Sequence, residues 1–367
     1  MTPSELNIQV PFVPATRYPI VIGRDFVSGL LARLREQFPK RRPFVISDAN
    51  LQKSGWLDKL IGADTVGRFV IDPAGEDSKT WATVGAIVEA MEHLSLGRDT
   101  LVIGLGGGTV GDMAGFAASI FKRGVPVVHV PTTTVAQADS AIGGKTSVDS
   151  SQSKNAFGTF HHPAGVYIDV ATLGTLDDRQ FRAGLVESVK HALIADAGYF
   201  AFLETNLDAI LARDLDRLEQ LAGFNCRIKG AVVEQDPTET NQRRLLNYGH
   251  TIGHAVESAA AYRLLHGEAV AIGIAAALQI EKQMGLADAD RIERVCALLC
   301  RLSVPLVIPT DLSTDSFMDL LTRDKKTVGG WPRFVLLEKI GKPLVRSGQY
   351  AHEVAPEIVR SILNPHA

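Results

Sequence analysis

Leu101-Val102-Ile103-Gly104-Leu105-Gly106-Gly107-Gly108-Thr109-Val110-Gly111-Asp112 is the stretch whose reading decides the fold. A hydrophobic strand runs straight into a glycine cluster, and an amphipathic helix follows, reaching Phe121. Glycines let backbone N–H groups approach a phosphate closely, and the N-terminus of the following helix adds partial positive charge. The diphosphate of a dinucleotide is the natural guest. The spacing is not G-x-G-x-x-G, and no acidic ribose contact is evident about 20 residues onward, so the turn points to a nucleotide without naming it.

Outward from this stretch, short apolar runs alternate with amphipathic ones. Pro19–Ile22, Phe44–Ser47, Arg68–Ile71, Leu101–Leu105, Val125–Val130 and Val166–Val170 read as strands, and helices fill most of the gaps. That alternation predicts an α/β domain with a largely parallel sheet, whose ligands lie beyond the carboxyl ends of the strands. At 367 residues the chain exceeds the size at which a single core stops growing, so two domains are expected, residues 1–176 and 177–367. Past Leu176 the pattern is helical: Phe181–Ala195, Ala201–Leu211, Leu215–Val233, Leu245–Ala260, His266–Met284, Ala287–Leu302 and Thr314–Leu321, with a hairpin at Arg333–Leu337 and Pro343–Arg346.

A net charge of −3 offers no electrostatic footprint for nucleic acid or an anionic membrane, so any anionic ligand must be held by local positive charge. The longest apolar run, Ala269 to Ile280, is too short to span a bilayer. Of the cysteines Cys226, Cys296 and Cys300, one is left over in any disulfide scheme, and Cys296 with Cys300 reads as buried packing. With no basic and apolar leader, the expected location is cytoplasmic.

The strand ends carry the polar residues. Ser47-Asp48-Ala49-Asn50 and Pro73-Ala74-Gly75-Glu76-Asp77-Ser78-Lys79 read as ligand loops or equally as helix caps. Pro131-Thr132-Thr133-Thr134 leads to Asp139, Gly143-Gly144-Lys145, Lys154-Asn155 and Gly158. With Arg123, these set three cations and a carboxylate around two glycine turns, suiting a phosphorylated, hydroxyl-rich substrate. In the helical half, Glu187 and Lys190 share a helix face and read as a surface ion pair. His250 and His254 are also one turn apart, and His266 follows a turn. This pattern suits either a metal centre or histidines satisfied by neighbouring carbonyls, because it is not H-E-x-x-H.

The ordered series Gly106–Asp112, Arg123-Gly124, Pro131–Thr133, Ala136–Ser140, Gly143–Lys145, Lys154-Asn155, Glu187-x-x-Lys190, Leu246-Asn247-x-Gly249-His250-Thr251-x-x-His254 and Leu265–Ala269, with Gly75–Lys79 and Asp324-Lys325-Lys326 toward the ends, resembles the 3-dehydroquinate synthase family of sugar-phosphate cyclases. The resemblance implies a glycerol dehydrogenase-like fold: a Rossmann-like dinucleotide-binding domain, then a mainly α-helical metal-binding domain. It makes Glu187, His250 and His266 ligands of a divalent metal, Zn2+ or alternatively Co2+. Lys145, Asn155, His254 and one of Lys325 and Lys326 would face the substrate phosphate, with Arg123 supplied by the other subunit of a homodimer. Lys229 and Arg243 would hold the substrate carboxylate, and Asp139, Lys190 and Asn247 its hydroxyls. NAD would be bound by Asp48, Asn50, Glu76, Lys79, Gly107, Gly108, Asp112, Thr132, Thr133, Lys154 and Thr175.

The implied reaction converts 3-deoxy-D-arabino-heptulosonate 7-phosphate to 3-dehydroquinate and phosphate in the shikimate pathway, the route to chorismate and the aromatic amino acids. It proceeds by transient NAD-dependent oxidation, β-elimination, reduction and internal aldol closure. Related activities on the same fold are a 2-deoxy-scyllo-inosose or valiolone synthase, and a metal-dependent polyol dehydrogenase. Asp149–Ser153, Thr134-Val135 and Asp236–Glu239 depart from the family pattern, at positions assigned neither to metal nor to phosphate.

Overall fold

In the computed structural model, residues 17–64, 66–260, 263–309, 314–323 and 331–363 are described. Their first half contains strands β1 (Ile20–Gly23), β2 (Arg42–Asp48), β3 (Gly67–Ile71), β4 (Thr100–Gly106) and β5 (Val127–Pro131), a hairpin β6 (Lys145–Val148) and β7 (Phe157–Phe160), and β8 (Gly165–Asp169). Between them run α1 (Val27–Gln37), α2 (Ala49–Lys53), α3 (Trp56–Ile61), α4 (Trp81–His93) and α5 (Gly108–Ile120). The six strands read from the sequence form one parallel sheet in the order β1-β8-β5-β4-β2-β3. Its central strands β8, β5 and β4 are buried along their whole length because both faces are covered, as is usual for parallel sheets. Phe44, Ile46 and Val102 pack under α4 and α5, while Val45, Ile103 and Leu105 face α1 and α3.

The second half is helical: α6 (Asp178–Ala195), α7 (Ala197–Leu211), α8 (Leu215–Gln235), α9 (His250–Ala259), α10 (His266–Gln283), α11 (Ala289–Arg301), α12 (Thr314–Arg323) and α13 (Pro356–Leu363), with a small antiparallel pair β9 (Leu337–Lys339) and β10 (Lys342–Pro343). Several starts are set by aspartates whose carboxylates accept from the first free backbone N–H groups: Asp177 for α6, Asp196 for α7, Asp214 for α8 and Asp288 for α11. The architecture is α/β, a parallel sheet with flanking helices followed by a helical region.

The structure departs from the sequence-based expectations at five places. The helix expected over Leu245–Ala260 is broken, since a short 3-10 turn ends at Asn247 and Gly249 takes φ +77°, so α9 begins at His250. Left-handed backbone is open to glycine at little steric cost, and it turns the chain there. The C-terminal hairpin is met only in part: Leu337 pairs with Pro343 and Leu336 accepts from Leu344 N, but the β9–β10 pairing runs on toward Gly341 and Phe334 bridges His352 instead. The polar segment around Lys145, not among the expected strands, forms the β6–β7 hairpin. Cys300 is exposed and Cys296 half-buried, because the buried face of α11 is formed by Val295, Leu298 and Leu299. Glu187 and Lys190 are not a surface pair; both side chains are 1% exposed, because α6 is covered by neighbours on nearly all sides.

Helices α6, α9 and α10 meet almost backbone to backbone. A Cβ on Gly267 would lie 1.9 Å from the Ala183 carbonyl oxygen, and one on Gly273 1.8 Å from that of Gly249. No side chain fits at either contact. Gly273→Ala is therefore expected to push α10 away from α9 and destabilise the protein by about 1–3 kcal/mol. Gly230→Ala, within α8 and with open space around its Cβ, should stabilise it by about 0.5–1 kcal/mol. Denaturant unfolding midpoints for the two variants should move in opposite directions; equal midpoints would rule out the tight contact.

Candidate active site

Chain order across the sheet reverses beside β4: β2 passes outward to β3, and β4 returns on the other side of β2. Crevices at such reversals, outside the carboxyl ends of the strands, are where open α/β sheets bind ligands. The glycine turn occupies this point. Gly107 and Gly108 open α5 directly after β4, and a Cβ on Gly107 would stand 2.9 Å from Thr133 Cγ2, so the turn lies against the loop after β5. Thr132 Oγ1 is buried there and without a hydrogen-bond partner among the described residues. Asp48, at the end of β2, caps α2 by accepting from Leu51 N, with Asn50 exposed beside it.

Charge is concentrated beyond β3. The buried Lys79 ammonium reaches Asp112 at 2.7 Å and donates to Asn155 Oδ1 at 2.6 Å, with Glu76 Oε1 at 3.7 Å. Burial alone would lower the Lys79 pKa, but Asp112 and Glu76 raise it above the usual lysine value. Lys154 stands between Glu257, at 2.8 Å, and Glu76, at 3.7 Å. The Thr175 hydroxyl is engaged within the protein, accepting from Trp56 Nε1 and donating to the Thr172 carbonyl.

Across the crevice, α6, α9 and α10 bring Glu187, His250 and His266 together, with one ligand atom of each within 4.8 Å of the others. His250 Nε2 is 3.7 Å and His266 Nε2 3.5 Å from the same oxygen, Glu187 Oε1. Each histidine has its other nitrogen against an acceptor: His250 Nδ1 lies 3.1 Å from the Tyr248 carbonyl and His266 Nδ1 3.4 Å from Glu257 Oε2. With a cation seated between the three side chains, donation from Nδ1 would leave each Nε2 lone pair to it, the tautomer a metal ligand needs. Burial pushes His250 well below the usual imidazole range, so it is neutral. His266 is pushed up to about 10, because Glu187 and Glu257 together outweigh burial. The point between these side chains therefore favours positive charge, and the donor set fits a divalent cation.

The Glu187 carboxyl would rise on burial, but Lys190 and the two imidazoles hold it well below the usual range. Lys190 pairs with Glu187 one helical turn earlier. Behind it, Lys229 Nζ is 2.6 Å from Asp139 Oδ1 and also donates to the Asp139 carbonyl. Arg243 is buried, its guanidinium donating to the carbonyls of Pro237 and Gly143. Lys145 pairs with Glu239, which also accepts from Asn247 Nδ2 at 2.7 Å. The His254 ring stands 5.3 Å from that of His250 and 6.0 Å from that of His266, so the three imidazoles form one cluster.

One sequence-derived residue stands apart from this cluster in the chain itself. Arg123 is exposed just past the C-terminal end of α5, about 20 Å along the helix from the glycine turn. Lys325 and Lys326 lie outside the described residues. Two carboxylates had escaped notice as site residues, Glu257 and Glu239. Glu257 falls three residues after His254 and seven after His250, so helical spacing alone could have set it on the histidine face. Asp236, in one of the departing segments, accepts from the N–H groups of Thr240, Asn241 and Arg243 and thereby shapes the loop that carries Glu239.

The chain is similar to known proteins along almost its whole length. Residues 69–183 match the 3-dehydroquinate synthase N-terminal family model and residues 184–327 the C-terminal one. The chain is 40% identical over 349 residues to 3-dehydroquinate synthase of Symbiobacterium thermophilum, covering 94% of this chain and 96% of that protein. The Paracoccus denitrificans 3-dehydroquinate synthase is 41% identical over 362 residues, 95% and 96% of the two chains. Among solved structures, 2-epi-5-epi-valiolone synthase from Streptomyces hygroscopicus, with NAD+ and Zn2+ bound, superposes with a TM-score of 0.86 at 28% identity over 98% of this chain and 99% of the other. A 2-deoxy-scyllo-inosose synthase complexed with carbaglucose-6-phosphate, NAD+ and Co2+ gives 0.84 at 27% identity, covering 94% and 96%. Identity near 40% over almost the whole chain, with both halves matched, places this chain in the 3-dehydroquinate synthase family.

Proposed function

We propose that the chain acts as a 3-dehydroquinate synthase, converting 3-deoxy-D-arabino-heptulosonate 7-phosphate to 3-dehydroquinate and phosphate within the shikimate pathway. The observation that carries this reading is the convergence of Glu187, His250 and His266 beside the buried cations Lys190, Lys229 and Arg243. Glu187, His250 and His266 would hold Zn2+ or Co2+. The strand-end residues Asp48, Asn50, Glu76, Lys79, Gly107, Gly108, Asp112, Thr132, Thr133, Lys154 and Thr175 would hold NAD. When bound, the metal supplies Lewis acidity toward the substrate hydroxyls, and the nucleotide supplies a reversible hydride acceptor.

The chain's own residues bind, orient and balance charge. Lys229 and Arg243 receive the substrate carboxylate, for which Lys229 exchanges part of its contact with Asp139. Asp139, Lys190 and Asn247 orient the hydroxyls. Lys145, Asn155 and His254 receive the phosphate, joined by Lys325 or Lys326; because Asn155 Oδ1 accepts from Lys79 and Ser147, its NH2 is the group available to donate. The division at residues 176 and 177 sets these groups on two domains facing one crevice. A homodimer in the cytoplasm completes the reading, with Arg123 contributed across the interface. The exposed β7 supports it, since Phe157 and the exposed Trp81 stand with ring centroids 6.0 Å apart and Phe160 is exposed on the same strand.

The decisive assay is phosphate release from three substrates: the heptulosonate phosphate, sedoheptulose 7-phosphate and glucose 6-phosphate. Turnover of the first without net NADH accumulation is expected. Preference for either of the others would transfer the chain to the valiolone or inosose synthase activity, and accumulating NADH would make it a dehydrogenase. Glu187→Ala and His250→Ala should each abolish turnover and bound zinc without abolishing NAD binding; zinc content unchanged in either variant rules out the ligand assignment. Lys229→Ala should lower kcat/KM for the carboxylated substrate by at least 100-fold, equivalent to about 2.7 kcal/mol of transition-state binding. An effect below tenfold would remove Lys229 from carboxylate recognition.

A further inference from the structure

The carboxylate of Glu257 lies outside the ligand triad and outside the strand-end loops, yet it touches both. It is 8% exposed, and its two oxygens face in different directions. Oε2 lies 3.4 Å from His266 Nδ1, on the ring edge opposite the nitrogen that faces Glu187. Oε1 lies 2.8 Å from Lys154 Nζ, and Lys154 stands 3.7 Å from Glu76 Oε1. Glu76 in turn accepts from Thr109 Oγ1 at 2.8 Å with its other oxygen, and Thr109 is in the first turn of α5, directly after the glycine pair. The contacts thus run without a gap from the glycine turn through Thr109, Glu76, Lys154 and Glu257 to His266. They join α5 to α9 and α10, elements from the two halves of the chain.

We infer that Glu257 is a positioning residue that orients His266 for a divalent cation and, through Lys154, couples occupancy of that cation site to occupancy of the nucleotide site. A carboxylate on the far nitrogen of a ligating histidine fixes its tautomer and ring angle, and loss of such a partner typically weakens metal binding 10–100-fold. The coupling follows from the geometry of one side chain serving two partners. A nucleotide diphosphate drawing Lys154 toward the glycine turn alters the charge balance on Glu257, and with it the hold on His266; by linkage the reverse holds equally. The inference rests on the assignment of Glu187, His250 and His266 as metal ligands.

The test uses the full-length protein stripped of metal, with zinc affinity measured by competition against a chromogenic chelator and NAD affinity measured with and without zinc. Glu257→Ala is expected to bind zinc 10–100-fold more weakly than wild type. Glu257→Gln should lose less, because its amide oxygen still accepts from His266. In wild type, zinc should change NAD affinity by at least about fivefold; in Glu257→Ala and Lys154→Gln this dependence should vanish. Wild-type zinc affinity in Glu257→Ala, or a zinc-dependent NAD affinity that survives in both variants, overturns the inference. Should Glu257→Ala fail to fold by circular dichroism, the near-isosteric Glu257→Gln carries the zinc and coupling measurements. A His250→Ala variant that binds zinc normally would instead defeat the ligand assignment itself, and so separates failure of that assignment from failure of the role given to Glu257.

Discussion

Burial of the Glu187 carboxylate is the constraint on which the site depends. An ionised carboxylate taken out of water loses several kcal/mol of solvation unless opposite charge and hydrogen bonds replace it. Here the replacements come from three helices: Lys190 one turn along α6, His250 at the start of α9 and His266 at the start of α10. Both histidines stand at helix N-termini, and both are directed inward by what precedes them, Gly249 with its left-handed backbone and Leu265 with its extended one. Their positions hold only while the three helices stay in close contact, which the absence of side chains at Gly267 and Gly273 permits.

A chain of net charge −3 that takes a substrate with both a carboxylate and a phosphate must keep its cations together without letting them repel one another. The structure does this with resident carboxylates. Lys145 rests on Glu239, Lys229 on Asp139, Lys154 on Glu257 and Lys79 on Asp112. On the proposed reading, each pair fixes an ammonium group where an incoming anion can use it, so little side-chain reorganisation is needed when the ligand arrives. Binding is then an exchange of partners more than a creation of new charge. The same pairing explains why the site leaves no basic signature in the overall composition.

Local sequence was a good guide wherever a short-range rule governs structure. All six strands of the parallel sheet, the glycine turn at the reversal of strand order and most helices were legible from apolar periodicity and turn residues. It misled where a single backbone conformation or a distant neighbour decided the outcome. Gly249 splits what periodicity read as one helix, and the β6–β7 hairpin was hidden because its residues are polar or aromatic with no strict alternation. The Glu187–Lys190 pair has the spacing of a solvated salt bridge, and only the helices packed around α6 make it a buried one.

By itself, then, the sequence determined the fold class, the glycine turn at the end of β4 and, through its ordered motifs, the family. These follow from interactions among residues close along the chain, or from the motif series as a whole. Only the tertiary structure decided which side chains meet. Glu187 and His266 are far apart in sequence yet face one another, His254 joins the same imidazole cluster, and Glu257 spans from that cluster to the loops of the sheet. Contacts of this kind are set by how closely helices approach and which way a helix start is turned, quantities that no local pattern of hydrophobic and polar residues encodes.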